Sequence, residues 1–209
     1  MLQVQAGDWM LLGAGGHGRS VADVIQRAGG RVVAVQDPGP ESGWSVPAEA
    51  SLTRALARFG ASCQGRVLVT VGENLLRARI YDEAVAAGAA LGTLVAVTAT
   101  ASSPPGGSAV LLEHSHVGPG AVIAEGVIIN TAAVVEHDAQ IGAFAHIAPG
   151  ARVLGGARVG HSTLIGSGAV VLPGVVIGAN VVVGASAVVT SNVPDGCVVV
   201  GVPARIVSR

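Results

Sequence analysis

Residues 117–141 read VGPGAVIAEGVIINTAAVVEHDAQI. A β-branched residue stands at every sixth position, at Val117, Ile123, Ile129, Val135 and Ile141, and the series runs on through Ile147, Val153, Val159, Ile165, Val171, Ile177, Val183 and Val189. Four residues after each comes a small or medium side chain, among them Ala121, Val127, Ala133, Ala139 and Thr163. A period of six fits neither the 3.6-residue helix nor a flat alternating strand. It fits short strands joined by sharp corners, with one bulky residue per side pointing inward, so that three sides close an 18-residue coil. Stacked coils pair through the backbone at about 4.8 Å, and thirteen such hexads predict slightly over four coils. Leu111 with Ser115 extends the pattern less regularly, because Pro104-Pro105-Gly106-Gly107 interrupts it. The glycines directly after the β-branched residue (Gly118, Gly142, Gly160, Gly166, Gly178, Gly184), with Asn130 and Asn180, are expected at corners that need positive φ.

The composition agrees with a narrow, repetitive interior. Hydrophobic residues make up 50% of the 209, yet aromatics only 2% and charged residues 12%, against roughly 25% charged in ordinary globular chains. Mean hydropathy is +0.62, but no apolar run approaches the roughly 18 residues of a membrane span, so no membrane insertion is expected. A formal charge of −1 and few aromatic platforms argue against a nucleic-acid partner. Cys63 and Cys197 form no metal-type cluster, and the start MLQVQAGDWM has no cationic segment ahead of an apolar one. A soluble, cytoplasmic protein is expected.

Before residue 100 the pattern changes to apolar strands alternating with helices, as in a small parallel α/β unit. Strands are expected at 9–12, 32–35, 67–71 and 91–95, and helices at 17–28, 51–59 and 73–87. The division is therefore 1–95 for a Rossmann-like α/β domain, 96–110 for a connection rich in Ala, Ser, Pro and Gly, and 111–209 for the repeat domain with a short tail.

Gly13-Ala14-Gly15-Gly16-His17-Gly18 satisfies G-x-G-x-x-G between a strand and a helix, where backbone N–H groups can approach a diphosphate. Asp37 follows the second strand, near the place of a ribose-binding acid. NAD is the first reading, but fewer than 100 residues are too few for a full dinucleotide domain with a substrate site. A mononucleotide diphosphate fits better. A turn that merely lets helix and strand pack is the competing reading, and His17 inside the loop favours a ligand. Glu73 and Asn74 emerge on the same carboxyl edge, either facing the ligand or capping the next helix.

Five histidines, His114, His116, His137, His146 and His161, lie in or beside the repeat. No two are 18 apart, so none stacks on another across one coil, and no metal is expected. Gly155 falls over His137 and Leu164 over His146. Glu136-His137-Asp138 places a titratable base beside two acids, the arrangement that general-base chemistry near neutral pH requires. A lone exposed histidine is the alternative. Asn130, about one hexad earlier, and His146, half a coil later, are expected to complete a site near one corner.

The hexads resemble the left-handed β-helix of hexapeptide-repeat acyltransferases. Adding Gly13-Ala14-Gly15-Gly16-His17-Gly18, residues 129–131 (INT), residues 136–138 (EHD), residues 141–150 (IGAFAHIAPG) and the ending Gly201-Val202-Pro203-Ala204-Arg205, nearly the whole chain looks like the PglD/NeuD-type family of sugar acyltransferases. That resemblance implies transfer from acetyl-CoA to the amino group of a nucleotide-linked 4-amino-4,6-dideoxy sugar, by a homotrimer. O-acetylation of sialic acid or another hydroxyl, and a non-catalytic binding β-helix, remain as alternatives. It implies His137 as general base, Glu136 as its carboxylate partner and Asn130 as a residue that organises the base. His146, Gly155 and Arg205 are implied at acetyl-CoA, with Gly155 offering a backbone N–H to the thioester carbonyl. Gly13, Gly15, Gly16, His17, Gly18, Asp37 and Asn74 are implied at the nucleotide sugar. The chain departs from the family in Asp37-Pro38-Gly39-Pro40, where many members have consecutive acids, and in Ala96-Val97, where His-Pro is usual.

Overall fold

The computed structural model describes residues 6–39, 43–63 and 66–208, so Pro40 and both chain ends lie outside it. The chain forms two compact units that divide between Val97 and Thr98. Among the described residues no helix is long and apolar enough to cross a membrane.

The first unit is built on a parallel sheet of β1 (Asp8–Leu12), β2 (Arg31–Gln36), β3 (Ala48–Glu49) and β4 (Val67–Val69), ordered β3-β2-β1-β4. Helices α1 (Gly16–Arg27), α2 (Leu52–Phe59) and α3 (Asn74–Ala86) connect and follow these strands. Met10, Leu12, Ala34, Val67 and Val69 form the core with Ala55 and Ala84 of the helices. Two differences from the expected strands have simple causes. The two residues of β3, half exposed at the sheet edge, are too short to show a periodicity. Of the stretch expected as a last strand, Leu91 makes a single bridge to Val67, while Leu94–Val95 stands outside this sheet.

The second unit is a parallel β-solenoid of about 6 turns that matches a left-handed β-helix. Ile128–Ile129, His146–Ile147, Leu164–Ile165 and Val182–Val183 stack in one sheet. Val134–Val135, Arg152–Val153, Val170–Val171 and Val188–Val189 form a second, and Gln140–Ile141, Arg158–Val159 and Val176–Ile177 belong to a third. The register is 18 residues throughout these pairs. Each β-branched residue of the repeat is buried, and such burial stabilises by roughly 1.5–3 kcal/mol per side chain. Thr163, a hydroxyl in the small-residue column, is fully buried but satisfied: it donates to Gly178 O at 2.7 Å and accepts from Val181 N at 3.0 Å.

The turns beyond those counted from the hexads lie at the two ends, where the coil is shorter. Thr100 pairs with His116 and Val182 with Val198, a register of 16 residues in each case. A strict six-residue period cannot register them. Residues 98–110 thus include a rung of the solenoid where a connection was expected.

The corners match the expectation at Asn180 and differ from it elsewhere. Positive φ occurs three residues after the β-branched position, at Gly120 (φ 71), Ala132 (φ 55), Asp138 (φ 60) and Asn180 (φ 55), whereas Gly118 and Asn130 are not among the positive-φ residues. Gly118 serves a different need, close approach of the next coil: a Cβ there would lie 2.8 Å from His137 N. Gly142 and Gly160 repeat this, with a Cβ 2.6 Å from His161 N and 2.5 Å from Ala179 N respectively.

Candidate active site

His137 sits on the corner between Val134–Val135 and Gln140–Ile141. Its Nδ1 lies 2.9 Å from Asp138 Oδ2, and both side chains are exposed. The carboxylate at this nitrogen is therefore that of Asp138, not the expected Glu136. The reason is local. The positive φ of Asp138 turns the backbone at the corner, whereas Glu136 lies before it and is half-buried. Glycines of the adjacent coils clear the space. A Cβ at Gly120 would collide with Asp138 Oδ1, and one at Gly155 would lie 2.5 Å from His137 Nε2. The imidazole thus packs on the bare backbone of Gly155, as the 18-residue spacing predicts. With the carboxylate accepting at Nδ1, the neutral ring is the tautomer that carries its proton there and presents a lone pair at Nε2.

Asn130 serves a different histidine from the expected one. Its Oδ1 accepts from Thr131 N at 2.8 Å, and its Nδ2 lies 3.0 Å from His146 Nε2. Because the Thr131 N–H fixes which end of the amide is oxygen, Nδ2 donates and His146 Nε2 accepts. His146 belongs to the first of the three sheets, while His137 stands on the corner between the second and third. Within one chain the buried Val/Ile interior separates them, so they do not share one corner as expected. Around Gly155 the coil ladder takes the neighbouring N–H groups, with Leu154 N on Val171 O at 3.1 Å and Gly156 N on His137 O at 2.9 Å.

Arg205 begins the strand Arg205–Ser208, antiparallel to Val198–Val200. Its Nη1 donates to Ala204 O at 2.8 Å. The side chain lines a cavity of about 450 Å3 together with Thr190, Ser191 and Asn192.

In the first unit the glycine loop follows β1 and opens α1. Its glycines divide into two kinds. A Cβ at Gly18 would lie 2.5 Å from Gly13 O, and one at Gly13 (φ 114) 2.6 Å from Val71 Cγ2, so these two permit the turn to close. At Gly15 and Gly16 a Cβ would meet nothing within 4 Å, which leaves the backbone at the start of α1 open to a ligand. His17 is half-buried in the first turn of the helix. Asp37 ties the loop to the end of β2, accepting from Ala14 N at 2.8 Å and Gly39 N at 2.9 Å. Gly13 and Asp37 both line a cavity of about 340 Å3.

Glu73 is the cap of α3, accepting from Leu75 N at 2.9 Å and Leu76 N at 2.6 Å. Asn74, expected to face substrate, is buried, and its Oδ1 accepts from Arg77 Nη2 at 2.8 Å. Sequence reasoning passed over Arg77. It is fully buried and also donates through Nη1 to the carbonyls of Val71 and Gly72, both at 3.0 Å. Burial lowers its pKa to about 10, against the small opposing effect of Glu73, so it is charged at neutral pH. An arginine four residues after a Gly-Glu turn was the available signal.

Comparison with known proteins places this arrangement. Residues 9–84 match the PglD N-terminal domain family and residues 156–191 the bacterial transferase hexapeptide family of six repeats. A search of curated proteins gives no significant match. Among solved structures, the acetyltransferase domain of PglB from Neisseria gonorrhoeae in complex with acetyl coenzyme A is 33% identical over 97% of this chain and 100% of that chain, with a TM-score of 0.84. PerB from Caulobacter crescentus, in complex with CoA and GDP-perosamine, is 31% identical over 99% of each chain, with a TM-score of 0.87. WeeI from Acinetobacter baumannii shares the fold, at 22% identity and a TM-score of 0.80 over 97% of this chain and 100% of that one. With a glycine loop of this kind in the first unit, a hexapeptide β-helix in the second, and relatives above 30% identity that span the whole chain, the protein belongs to the PglD/NeuD-type family of hexapeptide-repeat sugar acyltransferases.

Proposed function

We propose that the protein transfers an acetyl group from acetyl-CoA to the amino group of a nucleotide-linked amino-deoxy sugar of the 4-amino-4,6-dideoxy type. The observation that carries this reading is the pairing of His137 Nδ1 with Asp138, which places Nε2 against Gly155. In this reading the amine nitrogen attacks the thioester carbonyl while Nε2 takes its proton. The new C–N bond forms, the C–S bond breaks, and the proton passes from the imidazolium to the departing sulfur, giving CoA thiol. The Gly155 N–H stabilises the oxyanion formed on the way. Position supplies much of the remaining rate, as in any reaction between two bound substrates. Glu136, half-buried beside the base, acts on the local field rather than by direct contact.

The nucleotide diphosphate binds at the open start of α1, over Gly15 and Gly16, with Asp37 holding the loop. Acetyl-CoA runs along the β-helix toward Arg205, whose cation suits a CoA phosphate. His146 and Asn130 belong to the thioester end of the cleft. Because the two histidines lie on opposite sides of one prism, a cleft containing both needs two chains, His137 from one and the Asn130–His146 pair from its neighbour. A homotrimer repeats that cleft three times by symmetry. PglB with acetyl coenzyme A and PerB with CoA and GDP-perosamine support the two substrate classes.

The test is CoA release measured on a panel of nucleotide-linked amino sugars and their hydroxy counterparts. Turnover on a 4-amino sugar nucleotide and none on the matching hydroxy sugar is the expected result. Preference for the hydroxy sugar would replace the amine reading, and no release with any acceptor would remove the enzymatic one.

A further inference from the structure

The cavity in the first unit carries information about the nucleobase. Asp37 at the end of β2 and Leu52 of α2 face one side of α3, whose lining residues are Leu76, Arg79, Ile80 and Glu83. Spaced i, i+3, i+4 and i+7, these four share a single helix face. Leu76 and Ile80 give aliphatic walls on which a flat ring can lie. Arg79 Nε lies 3.8 Å from Glu83 Oε1, and both side chains are largely exposed. An exposed i,i+4 pair at this distance adds little to stability, so parting it to meet a ligand costs little. Gly13 lines the same cavity, so it adjoins the loop at which the diphosphate is placed. Its volume of about 340 Å3 falls within the range of small-ligand clefts, roughly 300–1,000 Å3.

We propose that this cavity takes a guanine base, with the Glu83 carboxylate accepting from N1–H and the N2 amino group and the Arg79 guanidinium donating to O6. Read along the wall, the protein offers a donor and then two acceptor oxygens. Guanine offers the complement, a carbonyl acceptor followed by two adjacent donors. The other bases do not. Uracil has one N–H between two carbonyls, so a carboxylate facing it sets its second oxygen against one of them. Adenine puts an acceptor nitrogen beside its amino group, again facing a carboxylate oxygen. The substrate class is then a guanosine-diphosphate sugar, an inference that rests on the nucleotide-sugar reading above.

Titration calorimetry of the full chain with GDP, UDP and ADP tests it. The expected result is that GDP binds roughly tenfold or more tighter than either of the others, the scale of one good bidentate contact to a base. Glu83→Gln should bring GDP down to the level of UDP, because the new amide sets a donor against a donor. UDP or ADP binding as tightly as GDP would overturn the guanine assignment while leaving the nucleotide site standing. A GDP preference that survives Glu83→Gln would overturn it equally, since the base would be read elsewhere. Failure of all three nucleotides to bind would remove the nucleotide-sugar reading itself, and this inference with it.

Discussion

The imidazole of His137 packs on Gly155, one coil further along, at the place where any other residue would put its Cβ: that atom would lie 2.5 Å from Nε2. Gly155 is not among the positive-φ residues, so alanine suits its backbone and only the histidine has to move. Gly155→Ala should lower kcat by roughly 10- to 100-fold, the scale of a misplacement of about 1 Å. The melting temperature should stay near wild type. Unchanged kcat would mean that the ring position seen here is not the reactive one.

His137→Ala should lower kcat by roughly 100-fold or more, the usual scale of general-base loss, with little change in KM for acetyl-CoA. The side chain is exposed and contributes nothing to the Val/Ile interior, so circular dichroism should report an intact β-helix. Asp138→Asn should reduce kcat more than Glu136→Gln, because Asp138 holds Nδ1. The opposite ranking would return the partner's role to Glu136.

Coexpression of His137→Ala with His146→Ala tests whether the cleft needs two chains. Each variant alone should be weakly active. Randomly mixed trimers should regain about a quarter of the intact sites, because one chain can supply His137 and its neighbour His146. Mixed trimers no more active than the two parents would show that each cleft is built from a single chain. A monomer by light scattering would exclude the shared cleft outright.

The two kinds of loop glycine should respond differently. Gly15→Val points its side chain into open space in the free protein, so the fold should hold while KM for the nucleotide sugar rises and KM for acetyl-CoA stays. Gly18→Ala meets Gly13 O at 2.5 Å, so it should destabilise the first unit, read as a lower melting temperature. An unaffected KM in Gly15→Val would move the diphosphate away from this loop.

Arg77→Met leaves the carbonyls of Val71 and Gly72 and the Asn74 amide oxygen without their donor. A loss of roughly 3 kcal/mol is expected by denaturant unfolding. Burial holds the folded-state pKa at about 10, below the ordinary guanidinium value. Folded and unfolded chains are thus both protonated at lower pH, and the difference between wild type and variant should be flat from about pH 6 to 9. Above that range the folded protein releases its proton before the unfolded chain does. Wild-type stability should then rise with pH relative to Arg77→Met.

The repeat of Val117, Ile123, Ile129 and their successors determined the β-helix by itself, because a period of six admits one way to bury a β-branched residue on each of three sides. The same arithmetic placed Gly155 over His137, since coils of fixed length make stacking a matter of counting. Counting failed where the coil length changed, at Thr100 on His116 and Val182 on Val198. It failed again within the corners. Which acid meets His137 depends on the positive φ of Asp138, a property that neighbours in sequence do not display. Asn130 joins His146 rather than His137 because the amide is fixed by Thr131 N–H and aimed at the adjacent coil of its own sheet. Arg77 escaped notice because an arginine in a helix reads as surface until the fold closes over it. Spacing along the chain set which backbone positions stack, and the side-chain partnerships followed from torsions and hydrogen bonds that exist only once the coils and helices are packed.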